Sequence, residues 1–254
     1  MNKKLTGGIH PAVAAVWAAV IASVHILPTF PILGTGGTFS ISSVLIPLSG
    51  IFFGPIAGAL CSAVGCFLGS LIAPFTAWVG LGTFIIGTTT AFTTGCIAWG
   101  KWPPFAVSGI LVYIVGTVLW FTQEIGRGII IYPLVYYGLG FISLIAGIIL
   151  APRFFSGSKR FLKFLAIWLC AFGGLIGGAT VGNFFSLVLY KLPEEFWATM
   201  IIISPVERAI FATGAMLVGA PLMSGLSKIG IYVGPQSEEE FADNTDNDEQ
   251  EIND

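Results

Sequence analysis

Apolar runs of membrane-crossing length follow one another along almost the whole chain, and that succession constrains its fold more than any single motif. A helix needs about 20 mostly apolar residues to cross the hydrocarbon of a bilayer. Runs that meet or approach this length lie near residues 11–33, 40–53, 55–73, 78–100, 104–121, 128–151, 162–190 and 197–226. Charged residues make up 9% of the chain and mean hydropathy is +0.90, whereas a soluble domain carries about 25% charge. Lipid must therefore be the solvent for much of the surface. The expected fold is all-α, a polytopic transmembrane helical bundle of about 6–8 spans over residues 1–232. The second run is short and meets the third at Gly54-Pro55. Proline cannot continue a preceding helix normally, so a tight hairpin or a partly re-entrant pair is expected there.

Lys and Arg fix the orientation. With a cytoplasmic N-terminus and eight crossings, Lys3, Lys4, Lys101, Arg153, Lys159, Arg160, Lys163 and Lys228 lie inside, and only Arg127, Lys191 and Arg208 fall toward the outside. Both termini are then cytoplasmic, as in a multi-pass protein of the cell membrane. Of 13 acidic residues, nine fall between Ser237 and Asp254, a stretch without Lys or Arg. Residues 233–254 are accordingly expected to form a disordered acidic tail, either simply solvated or docking to a basic partner. Lys3 and Lys4 before an apolar run resemble the start of a secretory signal, but no small-residue cleavage site follows, so a retained first span is expected. Cys61, Cys66, Cys96 and Cys170 lack the spacing of metal or redox clips and read as small packing residues. Neither a metal nor a cofactor is expected.

Helices in lipid associate where small residues let backbones approach. Ala14, Ala18 and Ala22 form such a row on the first span, with Ala15 and Ala19 beside it. Gly54, Gly58, Ser62 and Cys66, next to Gly65 and Gly69, repeat the device, as do Gly174, Gly178 and Gly182 next to Gly173 and Gly177. The glycine rows are expected to pack internally. The alanine row can pack internally or face another protein, because a first helix easily sits at the edge of a bundle. In the latter case Ala18→Trp would leave the chain folded and block assembly.

Ionisable groups at membrane depth usually face a cavity or a partner. The candidates are Asn183, Glu207 and Arg208 within spans, Gln123, Glu124 and Arg127 at an outer junction, and His25 near the outer end of the first span. Glu207 and Arg208 are adjacent and diverge on a helix. Cross-helix pairs, Glu207 with Arg127 or Arg208 with Glu124, satisfy them better. These groups either line an outward-facing pocket, with Arg fixing an anionic or carbonyl group, or form structural bridges. Trp78, Trp120, Tyr132 and Tyr136 serve either as ring-stacking walls or as an interfacial belt. The loop Leu33-Gly34-Thr35-Gly36-Gly37-Thr38 lacks the lysine and preceding strand of a phosphate loop and reads as a lid or a flexible turn. Hydrolase, zincin and metal motifs are absent. Thr180-Val181-Gly182-Asn183 lacks the ending of a potassium filter. An enzyme is not expected, nor is a nucleic-acid partner.

The alanine-rich helix A-A-V-W-A-A-V-I-A (Ala14 to Ala22), the loop L-G-T-G-G-T-F-S, and S-S-V-L-I-P-L-S-G-I-F-F-G-P-I-A-G-A-L-C-S-A-V-G-C-F-L-G (Ser42 to Gly69) follow one another in the first hundred residues. This succession resembles the substrate-binding S subunits of energy-coupling factor (ECF) transporters. The resemblance implies capture of a vitamin or similar micronutrient in an outward-opening pocket under the loop near residues 33–40. It also implies a transmembrane coupling subunit on the alanine face and two cytoplasmic ATPases. Family members have about six helices, fewer than the eight runs counted here. Two other readings fit the residues: a self-sufficient secondary carrier using Asn183, Glu207 and Arg208, and a membrane scaffold that docks through its tail.

Overall fold

The computed structural model describes residues 11–157, 159–228, 231 and 233–235; Lys3, Lys4 and the acidic stretch from Ser237 onward lie outside them. The protein is an all-α polytopic helical bundle. Among the described residues its helices are α1 (Pro11–Val24), α2 (Ser42–Ile72), α3 (Thr83–Ala98), α4 (Pro103–Thr122), the short α5 (Glu124–Gly128), α6 (Ile131–Ser156), α7 (Arg160–Leu189) and α8 (Glu194–Ser227). Among the described residues six helices are long and apolar enough to cross a membrane: α2, α4, α6, α7, α8, and α3 counted from Gly80.

The count of six hides a reversal. Inside α2, Gly54 has φ 81° and ψ 175°, a backbone region that essentially only glycine occupies. The chain doubles back there. Ser62 Oγ donates to Ser49 Oγ at 3.0 Å, whereas 13 residues of continuous helix would separate them by roughly 20 Å. α2 is thus two antiparallel arms, 42–53 and 55–72, joined at the Gly54-Pro55 hairpin. With the shorter apolar α1 and the other five long helices, eight apolar segments run alternately up and down among the described residues.

α3 and α7 form the centre, and glycine rows bring them together. A side chain at Gly174 would overlap Thr94, and one at Gly178 would overlap Thr90. On the other side of α3, side chains at Gly50 or Gly95 would overlap backbone atoms of the facing helix. Small residues permit these approaches, as expected of helices that gain little hydrophobic drive from lipid.

The end of the first expected span requires correction. Helix α1 stops at Val24, and residues 28–40 form an antiparallel hairpin of β1 (Pro28–Ile32) and β2 (Gly37–Ser40), with Pro31 opposite Thr38. Pro28 and Pro31 cannot extend a helix, and Gly34 and Gly36 turn the chain at φ 77° and 72°. Gly34 lies against Leu192 in the α7–α8 connection and Phe196 in the first turn of α8, so the hairpin caps the bundle end that carries Arg127 and Lys191. Lys101, Arg153, Lys159, Arg160, Lys163 and Lys228 cluster at the opposite end, which the positive-inside rule assigns to the cytoplasm.

The alanine row also requires correction as a partner interface. Ala18 and Ala22 are buried and Ala14 is half-buried. Cys61 Sγ donates to the Ala14 carbonyl at 3.1 Å, and Gly65 lies against the Ala18 carbonyl and Ile21. Glycine on the second arm of α2 draws this row inward. Ala15 and Ala19 of the neighbouring row are exposed instead, flanked by Val16 and Val20. Ala18→Trp is therefore expected to lower thermal stability in detergent by about 2 kcal/mol or more through overpacking, with Ala19→Trp close to wild type. Equal melting temperatures for the two variants would show that the alanine row is not packed inward.

Candidate functional site

A cavity opens at the outer end between α2, α3, α7 and α8, beneath the β1–β2 hairpin. Its volume is about 140 Å³. Each wall is one face of a helix. Thr83, Ile86, Gly87 and Thr90 line it from α3, and Ala179, Gly182, Asn183 and Ser186 from α7. Both sets follow the three-and-four spacing that places residues on one side of a helix. Trp197, Met200, Ser204, Glu207 and Arg208 do the same from α8.

The hairpin is fastened by aromatic contacts. Phe30 and Phe39 both meet Phe211 edge-on, with centroids 5.7 and 5.6 Å apart, an arrangement favoured by the ring quadrupole. Phe39 also covers the Arg208 guanidinium, whose central carbon lies 4.6 Å from the ring centroid. At the tip, Thr35 Oγ1 donates to the Ile32 carbonyl at 2.9 Å and accepts from the Gly37 amide at 3.2 Å, which holds the glycine turn closed.

Polar groups converge below this lid. Arg208 Nε donates to the Tyr136 hydroxyl at 3.2 Å. The Asn183 amide donates to the hydroxyls of Tyr132 and Tyr137 at 3.0 and 3.3 Å, and Tyr132 reaches Ser204 Oγ at 3.5 Å. Trp78 forms part of the wall, its carbonyl accepting from the Tyr190 hydroxyl. At the rim His25 is fully engaged: Nδ1 meets the Ile21 carbonyl at 2.8 Å and Nε2 meets Ser42 Oγ at 3.3 Å. The cavity thus gathers Trp78, Tyr132, Asn183, Glu207, Arg208 and His25 from distant parts of the chain.

Five expected site residues do not line the cavity: Trp120, Gln123, Glu124, Arg127 and Tyr136, the last touching it only through its bond to Arg208. Trp120 is fully buried behind the wall, stacked on Tyr132 at 4.9 Å with Nε1 donating to the Gly126 carbonyl at 2.8 Å. It supports Tyr132 and does not line the space. Glu124 and Arg127 lie on α5, which packs against α4, and neither borders the cavity. The expected pairs of Glu207 with Arg127 and Arg208 with Glu124 do not form, because Tyr136 and Phe39 already hold Arg208. Sequence reasoning missed Phe39, Thr90 and Ser204. Spacing could have found Ser204, which lies one helical turn before Glu207 and Arg208, whereas Phe39 depends on how the hairpin folds over.

Chemically the arrangement suits recognition: one guanidinium, one carboxylate and one amide sit among hydroxyls and aromatic rings. The four cysteines are buried free thiols. The chain matches no protein-family model, and no curated protein or solved structure is significantly similar to it.

Proposed function

We propose that this membrane protein is the substrate-capturing subunit of an ECF-type uptake system in the cell membrane, taking up a vitamin or similar micronutrient. The observation that carries the reading is the outward cavity roofed by the β1–β2 hairpin, with Arg208 reaching up to Phe39 of the roof. A small-molecule site is usually such a concavity, mostly apolar with a few convergent polar groups. The chain carries no ATPase motif, so ATP-driven uptake requires a separate transmembrane coupling subunit and ATPases. The exposed Ala15 and Ala19 row of α1 offers the coupling subunit a flat surface of the kind that permits close helix approach.

Titration of the purified full chain in detergent or nanodiscs with a panel of vitamins and their precursors tests the reading. One compound is expected to bind with a Kd in the micromolar range or tighter and to raise the melting temperature. No response to any compound, together with no co-purifying coupling subunit, would sink it. A self-sufficient carrier is the second reading. It draws on Glu207, a carboxylate in the cavity roughly 20 Å along α8 at 1.5 Å per residue. Uptake by this chain alone in liposomes, driven by an ion gradient, would favour the carrier over the subunit.

A further inference from the structure

We propose that the ligand of this cavity is a compact zwitterion, with a carboxylate held by Arg208 and a protonated amine held by Glu207. The proposal rests on the reading of the cavity as a binding site and adds the charge pattern of what enters it.

Arg208 is only partly engaged. Nε is committed to Tyr136, while the terminal nitrogens make no hydrogen bond or ion pair among the described residues. One face of the guanidinium is covered by Phe39. A ligand must then approach along the edge, where the paired N–H groups match the two oxygens of a carboxylate.

Glu207 lines the same cavity, and its carboxylate likewise accepts no hydrogen bond among the described residues. Successive residues diverge by about 100° around a helix, so the two charged groups stand side by side without clasping each other. The remaining polar side-chain groups of the wall are neutral: hydroxyls, the Cys66 thiol, the Asn183 amide and the indole N–H groups of Trp78 and Trp197, of which Trp197 Nε1 is a buried donor without an acceptor among the described residues; both nitrogens of His25 are occupied. The lining therefore offers one guanidinium with free terminal N–H groups and one carboxylate without a donor, which attract each other through space but leave each other's hydrogen-bonding positions empty among the described residues. A singly charged ligand would satisfy one and leave the other desolvated, which is costly away from water. A neutral ligand would satisfy neither charge. A molecule that carries both charges a few bonds apart satisfies the two together. The small volume and the aromatic walls of Phe39, Trp78 and Tyr132 add that it is compact and tolerates a ring.

The test uses matched sets that differ only in charge: tryptophan, tryptamine and indole-3-propionate; and phenylalanine, phenethylamine and 3-phenylpropionate. Added to them is the vitamin panel sorted into zwitterionic, singly charged and neutral members. Binding to the full-length protein is read by calorimetry and thermal shift. The tightest binder is expected to be a zwitterion that exceeds its singly charged analogues by at least about 30-fold, the scale set by leaving a buried charge unpaired. Glu207→Gln should abolish its advantage over the anion, and Arg208→Gln its advantage over the cation, with folding checked by size exclusion. A neutral or singly charged compound that binds tightest overturns the zwitterion while leaving the capture role intact. Absence of binding by every compound overturns the zwitterion, and overturns the capture role as well when no coupling subunit co-purifies. A preference for the zwitterion that survives both substitutions in folded protein overturns the assignment to these residues.

Discussion

Truncation of Arg208 to alanine is expected to weaken ligand binding by about 30-fold or more, since removing one partner of a buried charged contact costs on the order of 2–5 kcal/mol. Three losses coincide. The ligand loses its anion partner, Glu207 becomes the sole charge on the cavity wall, and the hairpin loses the cation beneath Phe39. Arg208→Lys separates them. It keeps the charge but neither the Nε bond to Tyr136 nor the planar fork, so an intermediate loss is expected. Calorimetry on variants that pass size exclusion measures both. A folded Arg208→Ala protein with wild-type affinity would remove this residue from the site.

The largest effect on stability is expected at Gly50. A methyl group there would fall on the Ala91 carbonyl oxygen and the Gly95 amide nitrogen, both backbone atoms of α3. The first arm of α2 cannot retreat, because its other side is pressed by the second arm, where Gly58 touches Ser49. Backbone atoms cannot rotate aside as a side chain does, so Gly50→Ala should cost about 3 kcal/mol, the upper part of the usual overpacking range. Gly138→Ala on α6 is the control. Nothing lies within 4 Å of a methyl group there, and alanine is favoured over glycine by up to about 1 kcal/mol within a helix. Thermal unfolding in detergent compares the two. Equal melting temperatures would mean that α2 and α3 are not in backbone contact.

The elements that were legible in the chain are those set by local chemistry. Apolar length marks α4, α6, α7 and α8, and Gly54-Pro55 announces the reversal inside α2, because glycine reaches the required angles and proline blocks continuation. Depth in an apolar run singles out Asn183, Glu207 and Arg208, and the structure puts all three on one cavity. What local chemistry cannot specify is which surface a face meets. The row of Ala14, Ala18 and Ala22 signals a close approach, but its partner, Gly65, lies more than forty residues away in sequence. Glu124 and Arg127 carry the right charges for a site, yet α5 rests on α4 and not over the cavity. Trp120 is apolar enough for a wall or for the core, and only the position of Tyr132 decides between them. The hairpin over residues 28–40 was hidden for another reason. Its hydrogen bonds join two short segments whose turn residues read equally well as an unstructured loop.

The first arm of α2 has a consequence for biogenesis. Its twelve residues, 42–53, extend only about 18 Å, well short of the roughly 30 Å hydrocarbon thickness. The insertion machinery cannot accept such a segment as an independent stop in translocation. It must partition into lipid jointly with residues 55–72, already folded back on them, so the ribosome has to deliver the second half before the first can leave the aqueous channel.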